Sequence, residues 1–135
     1  MEHKKLVKSA IQAMAGAYVP YSGFKVGAAL LTKSGKVYTG CNIENAAFSP
    51  SNCAERTAFF KAVSEGEKEF AAIAIVGGLE GKIKEYCPPC GVCRQVMSEF
   101  CADDFIIILG KEDDEYKSYT LAELLPLRFS EKDIR

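Results

Sequence analysis

Apolar residues recur along this chain in more than one rhythm, and each rhythm predicts a different element. Between Lys5 and Ala17, the residues Val7, Ile11 and Met14 fall on one stripe with Leu6 and Ala10 beside them, the spacing of an amphipathic helix. Phe24 to Thr32 and Lys36 to Cys41 flank a Lys33-Ser34-Gly35 turn and predict an antiparallel hairpin. The first of these strands is apolar along its length, which predicts a central position. A second helix fits Cys53 to Glu65, with Ala54, Ala58, Phe59, Ala62 and Val63 as its buried face and Gly66 as its stop. The apolar run Phe70 to Val76 predicts a buried strand. A helix from Cys90 to about Phe100 and a strand from Phe105 to Leu109 then complete a β–α–β unit, whose two strands must be parallel. A short strand near Lys117 to Tyr119 and a helix opened by the capping pattern Thr120-x-x-Glu123, with Pro126 close behind, end the series. The fold class expected is α/β: a three-layer α/β/α sandwich with one mixed sheet of about five strands and helices on both faces. One domain spanning residues 1–135 accounts for all of it.

Composition narrows the partners. Lys and Arg number 17 against 18 Asp and Glu, a net charge of −1, so no global field attracts polyanions. No nucleic-acid or membrane partner is expected. The amino end carries polar residues throughout, without an apolar run or a small-residue cleavage site, and is read as that of a cytoplasmic protein. Six cysteines in such a chain are expected to be reduced thiols, catalytic groups or metal ligands rather than a disulfide framework.

The positions of those cysteines carry the chemistry. Cys90 and Cys93 lie three apart at a helix start, so their side chains leave one face of its first turn and can share a metal ion. The amides of a helix N-terminus lower a thiol pKa from roughly 8.5 and favour the thiolate that zinc needs. Cys53 opens the other long helix. If the two helix starts meet at one end of the sheet, three sulfurs converge, and three protein ligands leave one position of a tetrahedral zinc open for water. Cys87-Pro88-Pro89-Cys90 offers a rival pair. Two consecutive prolines hold that backbone extended, whereas Cys90-Gly91-Val92-Cys93 can enter a helical turn. Cys41 and Cys101 sit among apolar neighbours as buried free thiols. The one histidine, His3, lies at the amino end, which leaves an all-cysteine site. Glu55, two residues after Cys53, has two readings. Asn52-x-x-Glu55 matches a capping box, while a carboxylate beside a zinc ligand can carry protons to a substrate. With Cys90 and Cys93 in view, the second is preferred.

Cys53-Ala54-Glu55 together with Pro89-Cys90-Gly91-Val92-Cys93 resembles the zinc signature of the nucleoside and base deaminases. Tyr18-Val19-Pro20-Tyr21-Ser22, Phe24 to Ala29, Gly40 to Ala47 and Ala54-Glu55-Arg56-Thr57-Ala58 are similar to one branch, the small homotetrameric cytidine deaminases. The likeness runs from the first helix to Leu125-Pro126. It implies hydrolytic deamination of cytidine and deoxycytidine, as in pyrimidine salvage, with one zinc per chain on Cys53, Cys90 and Cys93 and with Glu55 as general base and acid. It also implies that Phe24 packs on the pyrimidine, that Asn42 and Glu44 hold the ribose hydroxyls, and that backbone groups near Ala54 hold the base edge. Arg56 corresponds to an arginine that hydrogen-bonds the zinc-bound sulfur and offsets the net −1 left by three thiolates around Zn²⁺. Phe129 corresponds to an aromatic that reaches a neighbouring subunit's site in a homotetramer. Two departures stand out: the family commonly has glycine near Leu127, and fewer cysteines before the P-C-x-x-C run.

Three other readings remain. Cys90-x-x-Cys93 opening a helix inside a β–α–β unit also suits a dithiol redox protein, although that leaves Cys53-Ala54-Glu55 unexplained. A structural zinc module would use Cys87 as a fourth ligand. A deaminase for a cytosine-containing antibiotic shares the zinc motif, whereas a polynucleotide editor is disfavoured by the near-neutral charge.

Overall fold

In the computed structural model, which describes every residue except Asp113, the predicted elements are all present. The helices are α1 (His3–Met14), α2 (Ala54–Ser64), α3 (Gly91–Phe100) and α4 (Leu121–Leu124). The strands are β1 (Phe24–Thr32), β2 (Val37–Cys41), β3 (Phe70–Leu79), β4 (Ile106–Gly110) and β5 (Tyr116–Thr120). The strands form one sheet in the order β2-β1-β3-β4-β5. β1 pairs antiparallel with both β2 and β3, β3 and β4 are parallel, and β5 returns antiparallel to β4.

One expectation is corrected here: β1 is interior, but β3 is the middle strand. The crossover through α3 sets β4 beside β3, and the β4–β5 hairpin then adds a second strand on that side. An apolar run reports burial on both faces, which any interior strand has; it does not say which interior strand it is.

Alternation along the strands divides the core in two. Ala29, Ala72, Ala74, Val76 and Ile108 meet Leu6, Val7, Ala10 and Met14 of α1. Their sequence neighbours Ala28, Leu30, Ile73, Ile75 and Ile107 face the other way, onto Ala58, Phe59 and Ala62 of α2, Met97 of α3 and Leu121 of α4. One helix therefore covers one face and three share the other.

The site's location follows from β3. The short connection of residues 65–69 turns α2 back onto the strand it precedes, and α3 turns back in the same way after it. Both helices run against β3, so both begin at its carboxyl end, the usual position for a site in an α/β sheet. Close packing seats α2: a Cβ on Gly40 of β2 would lie 2.5 Å from the Ala54 carbonyl oxygen and 2.6 Å from the Ala58 amide nitrogen. β3 extends past the predicted Val76 through Gly77 and Gly78, which pair with Val26 and Lys25.

Candidate metal centre and active site

Cys53 is the N-cap of α2 and Cys90 the N-cap of α3, both with extended backbone, and Cys93 follows in the first turn of α3. The Cys90 sulfur accepts a hydrogen bond from the Cys93 amide at 3.4 Å. The three sulfurs lie within 4.8 Å of one another, and those of Cys53 and Cys90 are 3.7 Å apart. Tetrahedral zinc with Zn–S bonds near 2.3 Å requires sulfurs about 3.8 Å apart. This donor set of soft thiols therefore suits zinc in both spacing and chemistry.

Charge is arranged around these sulfurs. Arg56, in the first turn of α2, donates from Nη2 to the Cys53 sulfur at 3.3 Å. The Cys53 thiol is driven below its ordinary range, first by the hydrogen bond from Cys93 and then by Arg56. Its partner Cys93 is pushed up by that same hydrogen bond and by burial. Glu55 is 4% exposed. Burial pushes its carboxyl up to about 7, with the neighbouring Cys53 thiolate adding to the rise and Arg56 opposing it.

The capping reading of Glu55 has no counterpart in the structure. The N-cap is Cys53 rather than Asn52, and no side chain caps the helix. The Asn52 amide donates instead to the Ile43 carbonyl at 2.9 Å, and its side chain donates to Thr57 Oγ1 at 3.1 Å. Glu55 is thus a buried carboxylate without the cap that would have accounted for it.

Other sequence-selected residues line the same end of the sheet. Phe24 opens β1, and its ring lies over Gly77 together with Cys87. A Cβ at Gly77 would come within 3.0 Å of Phe24 Cε2 and 2.9 Å of the Cys87 sulfur. Only glycine leaves room for both. Asn42 locks the start of β1, accepting from the Val26 amide at 2.9 Å and donating to the Phe24 carbonyl at 2.8 Å. Glu44 accepts from the backbone amides of Tyr21 and Ser22 at 3.0 and 3.1 Å and from the Ser22 hydroxyl. Those bonds, the Ser22 hydroxyl first, hold its carboxyl below its ordinary range. Glu44 also borders a cavity of about 410 Å³ with Tyr21, Ser22, Asn45, Phe48 and Ser51. Ala54 is fully buried.

Cys87 stands apart from the sulfur cluster. It is not among the three sulfurs that lie within 4.8 Å of one another, and burial pushes its thiol up to about 11. Cys101 is buried, with its thiol raised to about 12, whereas Cys41 is only partly buried. Phe129 lies outside the cluster within the single chain, its ring 59% exposed and its carbonyl held by Gln95 Nε2 at 2.8 Å. Leu127 has φ 53°, the left-handed region that favours glycine. Sequence reasoning passed over Ser22, Gly77, Arg94 and Gln95. The available signal was a polar pair, Arg94-Gln95, immediately after a ligand in a half-buried helix.

Three soft donors on two facing helix starts, with a buried carboxylate in the first turn of one, form an α/β site able to hold a metal ion beside a group able to exchange protons. Residues 1–109 match the family model described as the cytidine and deoxycytidylate deaminase zinc-binding region. The cytidine deaminase of Halalkalibacterium halodurans is 51% identical over 134 residues, covering 99% of this chain and 98% of that one. The cytidine deaminase of Sporosarcina psychrophila is 49% identical, covering 99% and 96%. The crystal structure of cytidine deaminase from Burkholderia pseudomallei superposes with a TM-score of 0.88 at 45% identity, covering 96% of this chain and all of that one. The chain belongs to the zinc-binding cytidine and deoxycytidylate deaminase family.

Proposed function

We propose that this chain, as one catalytic domain, hydrolyses cytidine and 2′-deoxycytidine to uridine and 2′-deoxyuridine with release of ammonia. The observation that carries this is the convergence of three thiols and the buried Glu55 carboxylate at the starts of α2 and α3, in a chain of this family. Cys53, Cys90 and Cys93 would hold one zinc ion, which when bound supplies Lewis-acid activation of water at neutral pH.

The chain's own residues do the rest. Glu55 takes one proton from the attacking water and delivers it to ring N3, then carries the second, from the hydroxyl added at C4, to the departing amine as the C4 carbonyl forms. Water thereby adds to C4, the C–N bond breaks and ammonia leaves. Three thiolates and Zn²⁺ sum to −1, and Arg56 against the Cys53 sulfur offsets it. Phe24 stacks on the pyrimidine, and the backbone at Ala54 receives the base edge. A carboxylate has about four lone-pair sites. Glu44 already accepts three hydrogen bonds, which leaves one site to accept from a ribose hydroxyl. The Asn42 amide retains one N–H and one lone pair beyond its two bonds, matching a second hydroxyl.

The proposal extends to a homotetramer acting in the cytoplasm, in which Phe129 of one chain closes a neighbour's pocket. Its exposed ring and the open Glu44 cavity support that. No helix of the described residues is long and apolar enough to cross a membrane. The test is incubation of the purified protein with cytidine, deoxycytidine, free cytosine and a single-stranded oligonucleotide, following loss of cytosine absorbance. Turnover of the first two alone is expected. Preference for the oligonucleotide would overturn the substrate assignment.

A further inference from the structure

Cys90 must be delivered to the metal by a segment with little regular structure behind it. Between the end of β3 and the start of α3, no backbone–backbone hydrogen bond among the described residues involves residues 83–89. Pro88 and Pro89 cannot donate one. Packing holds part of this segment: Ile83 is buried, and the Lys111 ammonium lies 4.4 Å from the centre of the Tyr86 ring. Cys90 itself is tied to α3, its carbonyl accepting from the Arg94 amide at 3.0 Å and its sulfur from the Cys93 amide at 3.4 Å, which leaves Pro89 just before it to be held.

Arg94 holds it. Its Nε donates to the Pro89 carbonyl at 2.8 Å, and its Nη1 donates to the Leu124 carbonyl at 2.7 Å. Pro89 is buried and immediately precedes Cys90. Leu124 is the last residue of α4, where carbonyls lack helical partners. The guanidinium is planar, so two of its N–H groups on separate nitrogens fix these carbonyls relative to each other more rigidly than the freely rotating ammonium of a lysine would. Arg94 itself rides on α3, one residue after Cys93.

We propose that Arg94 is a positioning residue for the metal centre. It acts as a strut that braces the Cys90 backbone against the end of α4, so that the ligand's place and the metal's residence time depend on a segment about thirty residues further along the chain. The carboxyl-terminal stretch is stitched to the same helix at two more points. Gln95 donates to the Phe129 carbonyl at 2.8 Å, and Arg128 Nη1 donates to the Cys101 carbonyl at 3.1 Å. Among the hydrogen bonds of the described residues, only those of Arg94 join that stretch to the loop before Cys90. The proposal rests on Cys90 and Cys93 being ligands, and its test separates the two.

Zinc-loaded wild type, Arg94→Met, Arg94→Lys, Gln95→Leu and Val7→Ala are mixed with excess chromogenic chelator and the rate of zinc release is followed. Melting temperatures and the thiolate-to-metal charge-transfer band of the cobalt-substituted proteins are recorded alongside. Val7 packs in the α1 face of the core and serves as a destabilised control remote from the thiols. Arg94→Met is expected to release zinc about 10–100-fold faster, the range for losing a group that orients a ligand. Its cobalt band should be altered, Arg94→Lys should recover part of the effect, and Gln95→Leu should behave as wild type. Release from Arg94→Met at the wild-type rate with an unchanged cobalt band overturns the strut while leaving the ligands standing. Equal acceleration in Val7→Ala at a matched loss of melting temperature also overturns it, because the effect would then be global. A wild-type chain that takes up no zinc removes the ligand assignment and the strut together.

Discussion

Glu55 is the residue at which chemistry and structure give opposite forecasts. A purely structural carboxyl group, 4% exposed, would tolerate glutamine, which is similar in size and still accepts a hydrogen bond. A proton carrier would not. Glu55→Gln is expected to fold, to keep its zinc and to lose turnover of cytidine by at least about 10²–10⁴-fold. Melting temperature and zinc content measured beside the rate decide the matter, and wild-type turnover in a zinc-loaded variant removes Glu55 from the mechanism. At this scale the sequence was most informative where the residue type itself carries the chemistry. Cys53, Cys90, Cys93 and Glu55 could be chosen because thiols and a carboxylate at helix-turn spacing have few other uses, whereas Arg56 came from the resemblance. Asn42, Glu44 and Phe24 entered only through resemblance. Ser22 and Arg94 stayed hidden because what they hold, a carboxylate 22 residues away and a carbonyl 30 residues away, leaves no local pattern.

Among elements, the sequence pattern located α1 to α4 and β1 to β5 to within a few residues but missed the 3-10 turn Glu131–Asp133, and its errors of extent have physical causes. β3 runs on to Leu79 rather than stopping at Val76 because Gly77 and Gly78 look like a break in sequence. In space Gly77 is the gap that admits Phe24 and Cys87. The central position was assigned to β1 rather than β3 because pairing order is set by the crossover, which apolarity alone does not encode. Gly40 tests how α2 is seated. A methyl group there would collide with the backbone of α2 at Ala54 and Ala58, and backbone cannot swing aside as a side chain can. Gly40→Ala is expected to cost about 1–3 kcal/mol of stability, the usual range for overpacking. Turnover should fall further than the folded fraction does, since Cys53, Glu55 and Arg56 all ride on the displaced end. Thermal melts paired with rates at a temperature where both proteins are folded check this. A variant with unchanged stability and rate would show that α2 is not held by that contact.

For the whole molecule, assembly is the property that a single chain leaves most open. Leu127 and Phe129 are exposed on the carboxyl-terminal stretch, and Leu127 is held in a backbone conformation unfavourable for leucine. Light scattering is expected to give the mass of four chains of 14.7 kDa each. Phe129→Ala should raise KM for cytidine while leaving zinc content unchanged. A fully active monomer would sink the shared-site reading.

The three ligands also have a topological consequence. Cys53 and Cys90 stand 37 positions apart, and the chain between them contains the whole of β3. A metal joining them would close a ring that includes the middle strand of the sheet. β1 and β4, its two hydrogen-bonded neighbours, lie outside that ring. With the ring closed, β3 cannot be peeled from the sheet without carrying the tips of both helices along, and the loop entropy of the unfolded chain is restricted as it would be by a long-range cross-link. The exposed Gly66 turn lies inside the same ring. A single backbone cut there would leave two fragments of this protein still tethered for as long as the ion stays bound.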